Sequence, residues 1–267
     1  MDLGLDGRAC VVTGAGRGIG RETAMRLCAE GANVLLVART EDQVTAAARD
    51  AAASGSGDAD SLALDITEEG SGERMLAAAT ERFGSLDVLV NNAGTSKWRD
   101  LDDVPDEDWR RQFELNVMAP MWAMKAAVPG MADRGWGRIV NVASTAGKRP
   151  SASMPEYSVA KSAELSLSRL YADRYASRGV LINAICPGPV TSEMWMEPGG
   201  LLDQSKDASD AGSREEALAA AGDKRPIGRL AEVGEIAAAI VFLCSAQASY
   251  VSGAAWSVDG GTVAVII

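Results

Sequence analysis

The sequence contains no histidine, and that absence removes several chemistries at once. A Ser-His-Asp or Cys-His nucleophile cannot be assembled, and a zinc or copper site would have to be built from carboxylates alone, so no metal is expected. Cysteine is scarce as well. Cys10, Cys28, Cys186 and Cys244 lie far apart, with no C-x-x-C pair and each inside an apolar stretch. They read as small core residues in a reducing compartment, not as a disulfide framework. Apolar runs such as Val34–Ala38 are far too short to span a bilayer. Met1–Arg8 lacks the basic and then apolar pattern of a secretory signal. A cytoplasmic protein without a membrane partner is the expectation. Positive charge is in deficit, with 26 Lys and Arg against 37 Asp and Glu and a formal charge of −11. Nucleic-acid binders draw affinity from clustered Lys and Arg, so no nucleic-acid partner is expected either.

What remains is a chain of 267 residues, 47% hydrophobic and rich in glycine, enough for one sizeable aliphatic core. Short aliphatic runs alternate with longer amphipathic stretches. Strands are predicted at Ala9–Thr13, Asn33–Ala38, Ser61–Asp65, Leu86–Asn91, Gly137–Ala143, Leu181–Cys186 and Ala255–Val258. Helices are predicted at Arg21–Glu30, Glu41–Ser54, Gly72–Phe83, Asp106–Ala132, Pro155–Arg178 and Glu232–Ser245. Because the strands are continuous apolar runs, both of their faces should be covered, which implies an α/β fold with a parallel, doubly wound sheet. There is no second core or repeat, so residues 1–267 are expected to form a single domain. Only Thr191–Pro226 breaks the rhythm, with a short helical pattern at Arg214–Ala221, and a connection that long inside a compact domain is usually functional or disordered.

The first predicted strand runs into Thr13-Gly14-Ala15-Gly16-Arg17-Gly18-Ile19-Gly20 and then a helix. A glycine-rich turn there lets backbone N–H groups and the helix N-terminus approach a pyrophosphate. Further along stand Asn91-Asn92-Ala93-Gly94, Ser144, Tyr157-Ser158-Val159-Ala160-Lys161 and Pro187-Gly188. In that order and spacing the motifs resemble the classical short-chain dehydrogenase/reductase family, over essentially the whole chain. The resemblance implies a Rossmann-type sheet of seven parallel strands with helices on both faces.

Without histidine, proton transfer needs another group, and a tyrosine with a lysine four residues later on one helix face is a sensible substitute. A phenol ordinarily titrates near pH 10, and a cation within about 4–6 Å lowers that by about one to three units. The resemblance gives Tyr157 the proton transfer to or from the reacting oxygen. It gives Ser144 a hydrogen bond to that oxygen, and Lys161 the ribose of the nicotinamide. Asn116 would anchor the lysine through water. For the cofactor it implies contacts from Gly14, Gly16, Arg17, Gly18, Ile19, Gly20, Asp65, Asn92, Ala93 and Gly94. Tyr157, Lys161, Pro187, Gly188 and Thr191 complete that set, with Thr191 on the carboxamide. Asn91, at the end of the fourth strand, is expected to brace the sheet.

Cofactor choice follows from charge. The end of the second strand carries Ala38 where NAD-selective members of such folds place an acid, and Arg39 and Arg17 can flank a 2′-phosphate. NADP(H) is therefore expected over NAD(H). The function implied is reversible hydride transfer between a ketone and a secondary alcohol, the substrate being a hydrophobic small molecule. Trp98, Met154, Met194 and Trp195 are the candidate pocket residues, the last two at the start of a lid spanning 192–225. Within that lid, Asp203–Gly212 is expected to be the least ordered part. One alternative is a 3-oxoacyl carrier-protein reductase, with Arg134, Arg138, Arg174 and Arg178 as a patch for an acidic carrier. The other is a non-catalytic dinucleotide-binding regulator. A homotetramer is expected, built on the helices Asp106–Ala132 and Pro155–Arg178, with the C-terminal tail reaching a neighbour.

Overall fold

A computed structural model describes residues 2–207 and 211–264. The first half runs β1 (Ala9–Thr13), α1 (Gly18–Ala29), β2 (Asn33–Ala38), α2 (Glu41–Ala52), β3 (Ala59–Ala63), α3 (Ser71–Phe83) and β4 (Val88–Asn91). Then come α4 (Asp106–Phe113), α5 (Ala119–Asp133), β5 (Gly137–Val142), α6 (Thr145–Lys148), α7 (Pro155–Tyr175) and β6 (Val180–Pro187). Three helices follow, α8 (Glu193–Met196), α9 (Leu201–Asp207) and α10 (Arg214–Asp223), before α11 (Val233–Cys244) and β7 (Ala255–Val258) close the fold. All seven strands are parallel, in the order β3-β2-β1-β4-β5-β6-β7.

Alternation along the strands explains the two layers of helices. Cys10 and Val12 point to the face covered by α1, α2 and α11, whereas Val11 points to the face covered by α3, α5 and α7. Burying each Val, Leu or Ile stabilises the fold by about 1.5–3 kcal/mol, and both faces contribute. The four cysteines are free and buried in this packing, as expected. No helix among the described residues is long and apolar enough to cross a membrane.

Three predicted elements differ in the structure. The third strand is Ala59–Ala63, not Ser61–Asp65. It lies at the sheet edge, pairs only with β2 and is half-buried, so its apolar signal is weak and Leu62 and Leu64 drew the prediction late. The helix expected over Asp106–Ala132 is split by a wide π-helical turn at Glu114–Met118. Asp203–Asp207 is not loose chain but most of α9. Leu201 and Leu202 are buried beneath it, and Arg214 Nη1 donates to both carboxylate oxygens of Asp203 at 2.7 Å. The rest of that expectation falls partly on 208–210, outside the described residues.

The chain order reverses at β1, which lies between β2 and β4. Ligands of open α/β sheets bind outside the carboxyl ends of the strands at such a switch point. The ends of β1, β4, β5 and β6 open here into one cleft of about 1460 Å³.

Candidate active site

Two loops are pinned together at the switch point. Thr13 Oγ1 accepts from the backbone N–H groups of Asn92 and Ala93 at 3.0 and 3.2 Å, and Asn92 Nδ2 donates to Thr13 O at 2.8 Å. The approach is so close that a Cβ at Gly14, where φ is +65°, would lie 2.8 Å from Ala93 Cα. A Cβ at Gly20 would come within 2.4 Å of Asn92 Nδ2. Gly20 thus serves loop packing and does not line the cleft, whereas Gly14, Gly16, Arg17, Gly18 and Ile19 do. At the start of α1 no side chain caps the helix and no acid stands in its first turn. Its first N–H groups therefore suit an anion such as a pyrophosphate.

Further round the cleft stand Arg39, Asp65, Asn92, Ala93, Gly94, Pro187 and Gly188. Arg39 is exposed and 4.0 Å from Asp65. Partial burial pushes the Asp65 carboxyl up, but hydrogen bonds from the Thr67 backbone and hydroxyl, with Arg39 and Arg111 nearby, hold it below its ordinary value. Arg17 is engaged already, its Nη1 donating to Glu197 Oε1 and Oε2 at 2.9 and 2.8 Å. Glu193 lies beside it, with Oε2 3.1 Å from where a Cβ on Gly18 would stand. Two carboxylates of the segment after β6 thus rest on the glycine loop.

Of the proton-transfer candidates, Ser144, Tyr157 and Lys161 line the same cleft. Ser144 follows β5 and caps α6, its Oγ accepting from Ala146 N at 3.1 Å. Tyr157 lies in the first turns of α7 and lines the cleft with Ser144. Lys161 Nζ is 5.7 Å from the Tyr157 ring centroid and donates to Val142 O at 2.8 Å and to Glu164 Oε2 at 2.7 Å. Burial pushes the Lys161 ammonium down, but Glu164 and then Tyr157 outweigh it and hold it above its ordinary value, charged. Asn116 is fully buried in the π turn, its Nδ2 donating to Gln112 O and Oε1 at 3.0 and 2.7 Å. Its Oδ1 has no hydrogen-bond partner among the described residues. A Cβ on Gly94 would stand 3.5 Å from that oxygen and 3.7 Å from Lys161 Nζ, so glycine keeps the space between them open.

Trp98, Met154, Met194 and Trp195 line the same cleft, and Trp195 is half-buried instead of filling core. Thr191 does not line it. Its hydroxyl faces the start of α11, with Oγ1 2.9 Å from Glu232 Oε2 and 3.2 Å from Ala231 O. The arginines read as a carrier patch are spent elsewhere. Arg134 holds Leu86 O and Asp87, Arg138 is buried against Ser245 O and Trp136, Arg178 pairs with Asp133, and Arg174 lies by Tyr175. None of the four lines the cleft. Asn91 braces the sheet, donating to Asn141 Oδ1 at 2.8 Å.

A family model described as short chain dehydrogenase matches residues 8–199. The chain belongs to the short-chain dehydrogenases. The family assignment makes it an oxidoreductase that uses a nicotinamide dinucleotide. Among similar proteins is 2-(S)-hydroxypropyl-CoM dehydrogenase 3 of Xanthobacter autotrophicus, 37% identical over 99% of this chain and 100% of the relative. A 3-oxoacyl-[acyl-carrier-protein] reductase of Vibrio cholerae is 34% identical over 97% and 98%. The L-sorbose reductase of Gluconobacter frateurii, solved in complex with NADPH and L-sorbose, superposes with a TM-score of 0.92 over the full length of both chains at 32% identity. In this short-chain dehydrogenase, the sequence pattern did not mark Glu164, Glu193 or Glu197. The i,i+3 spacing from Lys161 was a usable signal for Glu164. No local pattern marks Glu197, whose partner lies 180 residues away.

Proposed function

We propose that this short-chain dehydrogenase interconverts a ketone and a secondary alcohol with NADP(H), and that Tyr157 is the general acid and base. The observation that carries the reading is that Ser144, Tyr157 and charged Lys161 line the same cleft as the glycine loop, with Lys161 Nζ 5.7 Å from the Tyr157 ring. The cleft fits the cofactor, with an uncapped helix start after the glycine loop and, after β4, a glycine at 94 where a side chain would fill the approach to Lys161. When bound, the nicotinamide supplies or accepts the hydride. The Ser144 hydroxyl orients the reacting oxygen, and Tyr157 donates its proton to that oxygen in reduction or removes it in oxidation. Lys161 holds positive charge beside the phenol, and Asn116 Oδ1 faces the gap next to it as an acceptor. Gly14, Gly16, Gly18, Ile19, Asp65, Asn92, Ala93, Pro187 and Gly188 form the cofactor wall. Arg17 and Arg39 read the 2′-phosphate, since β2 ends in Ala38 with no acid to repel it.

Residues 192–225 act as a lid in this reading, with Met194 and Trp195 forming a wall against the substrate together with Trp98 and Met154. Purified protein incubated with NADPH or NADH and a panel of cyclic, aromatic and β-keto ester ketones, followed by cofactor absorbance, tests it. Turnover with NADPH is expected. Binding without turnover on any ketone would point to a non-catalytic regulator instead. A second reading, reduction of a carrier-bound 3-oxoacyl group, has its own support. The cleft is lined by Lys97, Arg149 and Lys224, none ion-paired among the described residues, and the Vibrio relative carries that activity in its name. A much higher kcat/KM for the carrier thioester than for the free β-keto ester would favour it.

A further inference from the structure

Lys161 is not a lone cation. Its Nζ is 2.7 Å from Glu164 Oε2, and both side chains are only 2% exposed. Glu164 stands one turn later on α7, within reach of the ammonium. An ammonium has three donors. Val142 O and Glu164 take two of them, which leaves the third for the open space at Gly94. Burying such a pair costs desolvation on both partners, and with Lys161 in place the carboxylate answers a charge that would otherwise stand unpaired. The same pairing sets how much of the lysine's charge is left for its other neighbours.

We propose that Glu164 is a positioning residue for proton transfer: by holding the Lys161 ammonium it fixes where that charge stands and how much of it Tyr157 feels. A bare ammonium beside a phenol favours the phenolate strongly, whereas an ammonium already paired with a carboxylate does so less. The pair thus keeps the proton on Tyr157 over a wider pH range, which serves donation to a ketone oxygen, the reductive direction. This rests on the function proposed above. The other groups around the pair do not supply the same effect. Cys186 on β6 is a thiol pushed up to about 11 by burial, and Lys148 on α6 donates to Ser257 Oγ at 2.9 Å. β5 contributes the Val142 carbonyl, and the π turn contributes the uncharged Asn116.

The test uses Glu164→Gln, which keeps size and an acceptor but deletes the charge, and Glu164→Asp, which keeps the charge. Tyrosinate absorbance is titrated without cofactor or substrate, each protein being read against its own Tyr157→Phe counterpart so that only the phenol of Tyr157 is seen. The pH profile of kcat/KM for alcohol oxidation is measured alongside. The expected result is that both the titration midpoint and the rising limb move to lower pH by about one unit in the Gln variant and return in the Asp variant. An unmoved midpoint in folded Gln variant overturns the proposal. Should that variant not fold, Glu164→Leu is read the same way, and failure of both to fold assigns Glu164 a structural role and also overturns it. Absence of turnover in the wild-type enzyme would sink the proposed function, while the absorbance titration still decides on Glu164.

Discussion

At the scale of single residues, the chemistry is concentrated in very few atoms. Tyr157→Phe removes one hydroxyl and keeps the ring on the cleft wall. Turnover should fall by about 10²–10⁴, the usual contribution of general acid catalysis, with the NADPH dissociation constant, read by fluorescence, changed less than about threefold. A variant retaining a third of wild-type turnover would remove Tyr157 from the role. The spacing of Tyr157 and Lys161 was legible because a four-residue step on a helix brings two side chains together whatever the rest of the fold does. Asn116 was legible only through its match to a family position. What holds it, Gln112 and the unshared Oδ1, depends on a backbone geometry that apolar periodicity does not encode.

At the scale of elements, a π turn adds one residue to a helix without disturbing the hydrophobic stripe on either side, so Asp106–Ala132 read as one helix. The segment after β6 was legible as an interruption, with a helical pattern only where α10 stands; α8 and α9 were not legible, because the anchors of this segment, Asp203 to Arg214 and Glu197 to Arg17, are polar contacts between distant residues. The second anchor has a measurable effect. Glu197 and a 2′-phosphate compete for one guanidinium, and an exposed ion pair is worth about 0.2–1 kcal/mol. Glu197→Gln should therefore tighten NADPH by up to about fivefold and leave NADH unchanged, whereas Arg39→Ala should weaken NADPH by about tenfold or more. Equal effects on both cofactors, measured by titration calorimetry, would show that these arginines do not read the phosphate. Helix α11 gives a pH prediction. Arg229 donates to both oxygens of Glu235, and the Glu232 backbone N–H donates to one of them, which together pull the carboxyl down to about 2. A carboxyl held below its ordinary range stabilises the fold above about pH 4.5, and that stabilisation disappears as the pH falls towards 2. The unfolding free energy of Glu235→Gln, from urea titration, should lie below wild type at about pH 6 by less than about 1 kcal/mol at this exposed site, with the gap closing on acidification.

At the scale of the whole molecule, the doubly wound architecture was legible because the central strands β1, β2, β4, β5 and β6 carry buried apolar runs that need cover on both faces. Assembly was less so. The helices expected at a subunit contact leave Phe113 on α4 and Val159 and Leu170 on α7 exposed, Leu170 at 67%. We therefore expect light scattering to return a tetramer at micromolar concentration, and Leu170→Glu to shift it to smaller species; a monomeric wild type would refute the contact. Of the tail, Thr262 and Val263 line the chain's own cleft, while residues 265–267 lie outside those described. One feature of the packing reaches beyond stability. Burial pushes the thiols of Cys28 and Cys244 up to about 12 and that of Cys186 to about 11, with Cys10 also well above its ordinary value, in a chain that has no imidazole. The groups that usually exchange protons with buffer near neutrality are thereby missing or silenced, the terminal amine apart. Calorimetry of cofactor binding in two buffers of different ionisation enthalpy would then act as a proton counter, with NADPH compared against NADH so that the 2′-phosphate, whose second pKa is about 6, is separated from the cluster of Tyr157, Lys161 and Glu164.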